Sequence, residues 1–147
     1  MQDTKFAVAL HILVMLSESE RQLNSESLAE SVGSNASYIR KIMALLKDKG
    51  YIVSHRGKSG TTLKIAPRDL NLWMIYKAVQ TQENSLFAIH QHANQACPVG
   101  KNIEQAITPY FTEAEETLKA SLSQTTLQDI IDELYRIGGK NESCRFD

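Results

Sequence analysis

Ser37, Tyr38, Arg40 and Lys41 fall within five residues of one another, and Asn35 stands just before them. Serine and tyrosine hydroxyls bond phosphates or base edges. An arginine fork matches the O6/N7 edge of guanine, and lysine can take the same edge less rigidly. A little further on, Arg56 and Lys58 sit in the run Arg56-Gly57-Lys58-Ser59-Gly60. There Arg56 suits entry into a minor groove and Lys58 suits a phosphate. All seven side chains are therefore candidates for contact with double-stranded DNA. Tyr38 has an alternative place in the core, where its ring could pack inward. Arg56 and Lys58 have an alternative as solvated turn charges.

A second set of chemistry-bearing residues is His90, His92 and Cys97. Two histidines at i and i+2 share a metal only on an extended chain. No second thiolate or nearby carboxylate completes the set, so no metal site is expected. Cys97 precedes a helical pattern, and a helix start lowers a thiol's pKa, which suits a sensor of oxidants or electrophiles. Its other reading is a small buried packing residue. Cys97 and Cys144 are too few for a disulfide framework and too far apart for a zinc CxxC pair. Gly57-Lys58-Ser59 matches the end of a phosphate-binding loop, but Ile52 stands where that motif needs its first glycine. No Ser-His-Asp or Cys-His-Asn set and no carboxylate pair stands out, so an enzyme is not expected.

The net charge of -1 hides a segregation. From Ala36 to Arg68 the chain holds Arg40, Lys41, Lys47, Lys49, Arg56, Lys58, Lys64 and Arg68 against Asp48 alone, a local charge of +7. The other acids lie outside this block. A polyanion would bind it by displacing its own counterions. A protein-binding adaptor would have no use for such a block. No apolar run approaches the ~18 residues of a membrane span, and the start lacks a secretory pattern. A cytoplasmic protein is expected.

The elements that must position these side chains follow from periodicity. Phe6, Leu10, Leu13 and Leu16, widened by Ala9 and Ile12, predict a first amphipathic helix. Ser25 is read as the cap of a short second helix that buries Leu28, Ala29 and Val32 and ends at Gly33. Asn35 caps a third helix, from about 36 to 49, with Ile39, Ile42 and Leu46 inward and Gly50 closing it. Two helices joined by a tight glycine turn form a helix-turn-helix pattern. Residues 51–55 and 61–65 predict strands of a wing hairpin, the second ended by Pro67. Asn71 is read as the cap of a helix bearing Leu72, Ile75, Tyr76 and Val79. Residues 80–96 are polar and carry little pattern. Ile103 to Leu122 predict a long helix that Pro109 should kink or restart. Thr126 is read as the cap of a last helix with Leu127, Ile130, Ile131 and Leu134 inward. The long helix has little partner material of its own, which points to a second copy of the chain; its other reading is packing on the first helix.

These residues carry a family likeness. Ser37-Tyr38-Ile39-Arg40-Lys41-Ile42, then Leu46, Gly50, Arg56-Gly57, Gly60 and Leu63, and Ala66-Pro67 with Leu70-Asn71-Leu72, resemble the Rrf2 family of bacterial winged-helix regulators. Cys97-Pro98-Val99-Gly100 resembles a short branch of it, often labelled YwnA-like. The resemblance implies a homodimer that represses or activates genes by binding an inverted-repeat operator, and a repressor is expected here. Several relatives hold an iron–sulfur cluster on three cysteines before the long helix. Here only Cys97 lies between Leu86 and Tyr110, so no cluster, and no other cofactor, is expected. Thr61-Thr62 stands where relatives often have Gly and Tyr.

The expected architecture is mostly α with a small β wing. Residues 1–80 are read as the winged helix-turn-helix, and 81–147 as a sensor segment with dimerisation helices.

Overall fold

Three asparagines start three of the helices. Asn24, Asn35 and Asn71 each accept a hydrogen bond from a backbone N–H three residues on, at Ser27, Tyr38 and Met74. Such side chains satisfy N–H groups that the helix itself leaves unpaired. The computed structural model describes residues 3–55, 60–80 and 87–138. Its elements run α1 (Lys5–Glu18), α2 (Ser25–Val32), α3 (Ala36–Asp48), β1 (Ile52–Ser54), β2 (Thr61–Leu63), a short 3-10 helix (Pro67–Asp69), α4 (Leu72–Val79), α5 (Pro98–Ser123) and α6 (Leu127–Gly138).

Asn24, and not Ser25, caps α2. It forms a reciprocal box with Ser27: Ser27 N–H donates to Asn24 Oδ1 at 2.9 Å, and Asn24 N–H donates to Ser27 Oγ at 3.0 Å. Ser25 becomes the first helical residue, which frees its hydroxyl. Gly33, at φ 78°, turns the chain from α2 into α3 in the left-handed conformation that L side chains adopt at a cost.

α1 runs through the middle of the core. Ala9, Ile12 and Leu13 are fully buried, and Leu28, Ile39, Leu46, Leu70, Ile75 and Leu127 close around them. Phe6, Leu10 and Leu16 border this core and are only partly buried, so the buried face of α1 is centred on Ala9, Ile12 and Leu13.

The wing strands are shorter than their apolar pattern. β1 pairs antiparallel with β2, Ile52 opposite Leu63. Tyr51 N–H closes the end of α3 by donating to Leu46, so only the Tyr51 carbonyl serves the hairpin, accepting from Lys64 N–H at 2.9 Å. Pro67 does not end β2, which stops at Leu63; it opens the 3-10 helix. The wing is tied to the chain before α2, because Thr61 N–H donates to the Leu23 carbonyl at 3.0 Å. Gly60 lets this happen: a Cβ there would lie 2.1 Å from the Leu23 carbonyl oxygen.

α5 is continuous through Pro109. Proline removes one N–H from the ladder and leaves the Gln105 carbonyl without its helical donor. Gln105 and Pro109 are both exposed, so water can serve that carbonyl and the helix need not break. α6 then returns to the first half. Thr126 and Asp129 cap it reciprocally, and Leu127 N–H donates to the Leu70 carbonyl at 2.8 Å. Leu127 and Ile131 are buried, Ile130 is half-buried, and Leu134 lies outside the core at 48% exposure. No helix among the described residues is long and apolar enough to cross a membrane.

Candidate nucleic-acid interface

Once α3 has buried Ile39, Ile42, Met43 and Leu46, its opposite face is fixed by the 3.6-residue period. Ser37, Arg40, Lys41, Ala44, Lys47 and, at its C-terminal end, Asp48 form that face, and all six are exposed. Ala44, in the middle of the row, leaves room for a large partner to come close. Asn35 is exposed but its side-chain oxygen is occupied, accepting from Tyr38 N–H at 2.8 Å. Tyr38 is half-buried and packs on the edge of the core, between the two places its ring could take.

The row borders an open cleft of about 440 Å3. Arg40, Ala44 and Lys47 form one wall, Asn24 and Ser25 at the start of α2 a second, and Ser54, His55, Gly60 and Thr61 at the wing root a third. His55 Nε2 lies 3.0 Å from Thr62 Oγ1, and Ser54 Oγ lies 3.2 Å from Thr61 Oγ1. The Thr61-Thr62 pair thus cross-braces the root of the wing through its hydroxyls. Arg56 and Lys58, read as wing-tip contacts, lie outside the described residues. Lys64 and Arg68 extend the basic surface and are exposed.

Sequence periodicity had placed Lys47 on α3 without assigning it to the site, although it is seven residues from Arg40 on the same stripe. Ser25 and His55 join the cleft through tertiary contacts that no local pattern reports. Arg40 also reaches back to α2. Its Nη1 donates to Ser25 Oγ at 3.3 Å and stands 3.8 Å from a Glu26 carboxylate oxygen.

Cys97 is exposed, which removes its reading as a buried packing residue. It is the residue before α5, and Lys101 N–H donates to its carbonyl at 2.9 Å. Its thiol forms no side-chain cap, yet the N–H groups of Gly100 and Val99 hold its pKa below the ordinary thiol value. Gly100 sits against the preceding turn, where a Cβ would lie 2.3 Å from the Asn94 carbonyl oxygen. His90 and His92 are exposed. Among the described residues no three His, Cys, Asp or Glu side chains come together as metal ligands.

α5 contains no fully buried residue along its 26 positions. Ile103, Ile107, Phe111, Leu118 and Leu122 are half-buried, and Phe111 meets Phe87 in a tilted ring contact with centroids 5.1 Å apart. A second apolar stripe, Val99, Ala106, Tyr110 and Ala114, is exposed, with Tyr110 at 72%.

A helix-turn-helix followed directly by a two-stranded wing defines a winged helix-turn-helix protein. Residues 2–133 match the model of the Rrf2 family, described as an iron-dependent transcriptional regulator. The chain belongs to the Rrf2 family of transcriptional regulators, which are DNA-binding proteins and not enzymes. It is 37% identical to YwnA of Bacillus subtilis, an HTH-type transcriptional regulator by name, over 92% of this chain and 100% of that one. A Lactobacillus plantarum protein described as a transcriptional regulator superposes with a TM-score of 0.75 at 29% identity, covering 92% of this chain and 93% of that one. The fold is also that of CymR, the global cysteine regulator of Bacillus subtilis, at a TM-score of 0.64 and 21% identity, covering 90% of this chain and 97% of that one.

Iron in the family's description calls for a donor set. Cys97 is the one cysteine among the described residues, and no carboxylate or imidazole cluster stands with it. These residues do not fit an iron centre, since thiolate ligation takes several cysteines.

Proposed function

We propose that the chain is a cytoplasmic homodimeric repressor that binds an inverted-repeat operator. α3 lies in the major groove and the wing over the adjacent backbone. Ser37, Tyr38, Arg40 and Lys41 face base edges and nearby phosphates, Asn35 fixes the start of the reading helix, and Arg56 and Lys58 serve the wing. The observation that carries this reading is the exposed row on α3, which holds three cations against one acid, Asp48 at its C-terminal end. Residues 1–80 form the reading unit, braced by α6, and the segment from 81 onward otherwise senses and dimerises.

Dimerisation is supported by the uncovered stripe on α5, which a second copy of the same helix would close around a two-fold axis. Thiol response is supported by the exposure of Cys97 and by its helix-start position, which favours the thiolate that electrophiles and oxidants attack.

The test is a mobility-shift titration against the genomic fragment upstream of the protein's own gene, across a salt series. Sedimentation at micromolar concentration accompanies it. Retardation that weakens steeply with salt, together with a dimer mass, is expected. A monomer, or no preference over a scrambled fragment, overturns the reading. The thiol response is tested by repeating the titration after diamide treatment, with Cys97→Ser as control. Equal responses in both proteins remove Cys97 from the mechanism.

A further inference from the structure

Glu26 is an acid on the face where an acid is least expected. It occupies the first turn of α2, beside the cleft, and its carboxylate is exposed. Three side chains form a chain there. Ser25 Oγ donates to Glu26 Oε2 at 3.1 Å, Arg40 Nη1 donates to Ser25 Oγ at 3.3 Å, and the same Nη1 lies 3.8 Å from Glu26 Oε1. Ser25 is free to do this because Asn24 has taken over the capping of α2.

From this arrangement we infer that Glu26 is a specificity-determining residue, acting through Arg40 as its positioning partner. The inference rests on the proposal that Arg40 reads DNA. A guanidinium has five N–H donors in a rigid fork. One Nη held on the Ser25–Glu26 pair leaves the other donors for the O6/N7 edge of a guanine. The tether therefore survives base reading. Phosphate binding is different. A phosphate can use the same donors as a base edge, but it is an anion, so it brings a second negative group beside the Glu26 carboxylate, whereas the guanine edge is neutral. Glu26 thus weakens non-specific backbone binding by Arg40 more than it weakens base reading. The pair is solvent-exposed, so its effect on the ratio of affinities is modest, up to about fivefold.

The experiment uses the full-length chain and two duplexes: the one it selects from a random 30-base-pair library, and a scrambled duplex of the same composition. Affinities are measured for wild type, Glu26→Gln, Arg40→Ala and the double variant, with helix content checked by circular dichroism. Glu26→Gln is expected to bind the scrambled duplex more tightly and to lose up to about fivefold in preference for the selected one. In the Arg40→Ala background the same change should leave the preference untouched. Equal tightening on both duplexes reduces Glu26 to a general surface charge and overturns the inference. A lost preference that persists without Arg40 overturns it as well. If Arg40→Ala itself leaves the preference intact, or if no duplex is selected, the underlying reading fails and the inference falls with it.

Discussion

α3 and α5 are both amphipathic, and their free faces are opposite in kind. α3 buries its apolar stripe completely and leaves a polar, cationic row in solvent. α5 buries nothing fully and leaves an apolar stripe in solvent, Tyr110 and Val99 included. An exposed cationic row is stable in water and needs no cover. An exposed apolar stripe costs free energy, at about 25 cal/mol for each Å2 left wet. The first face waits for a charged partner that comes and goes, and the second calls for a permanent one. The two helices thus point to different partners within a single chain.

The contrast is open to direct attack, and the largest effect should come from the core beneath α3. Ile39 is fully buried. Ile39→Ala should lower the free energy of unfolding by about 2–5 kcal/mol, read as a shift in the urea midpoint. Tyr110→Glu, on the uncovered stripe of α5, should leave helix content unchanged and convert the sedimenting species from dimer to monomer. A Tyr110→Glu variant that stays dimeric would place the second copy elsewhere.

Smaller changes sharpen the α3 side. Arg40→Ala should weaken binding to the selected duplex by ~1–3 kcal/mol and relax its sequence preference. Lys47→Ala should weaken all duplexes alike and reduce the salt slope by about one unit. If both variants behave identically, α3 does not divide into reading and backbone-neutralising positions.

The subtlest expectation concerns the start of α5. The Gly100 and Val99 N–H groups stabilise the Cys97 thiolate, so its pKa is lowered. The thiolate should therefore persist to lower pH than in an unstructured peptide. The pH profile of iodoacetamide alkylation of Cys97, with Cys144 replaced by serine, should have its midpoint displaced to the acid side. A profile that coincides with the peptide's would remove the helix start as an activating influence.

What could be read from the chain followed the range of the interactions. Asn35, the Ile39–Ile42–Leu46 stripe and the closing Gly50 are local features, and the reading helix was legible from them. The Asn71 and Thr126 caps were legible for the same reason. The α2 cap was misplaced by one residue, because Asn24 and Ser25 are both good caps and only the reciprocal bond to Ser27 decides between them. Pro109 was read as a kink or a restart; the helix does not restart there, and the chain does not report that Gln105 would face water. Leu134 fits the apolar period of α6 but lies beyond the reach of α1 and the 3-10 helix, which α6 packs against. The link from Arg40 to Ser25 and Glu26 was invisible, because fifteen residues and a turn separate its ends. Lys47 was within reach of simple periodicity, since it lies seven residues from Arg40 on the same stripe.

The close approach of Gly60 to Leu23 has a mechanical consequence. The wing root, the entry to α2 and α3 are locked to one another by backbone, and α6 is pinned to the same body through Leu70. Such a head transmits torque without deforming. A disturbance at Cys97 would therefore not reshape the reading surface; it would steer it. At 1.5 Å per residue, the 26 residues of α5 make a lever about 39 Å long. A tilt of about 5° at one end of that lever carries the other end roughly 3 Å. That is close to the rise of one base pair along duplex DNA, about 3.4 Å. In a dimer whose two heads must meet the groove in register, a deflection of this size at the α5 junction is enough to put one head out of step.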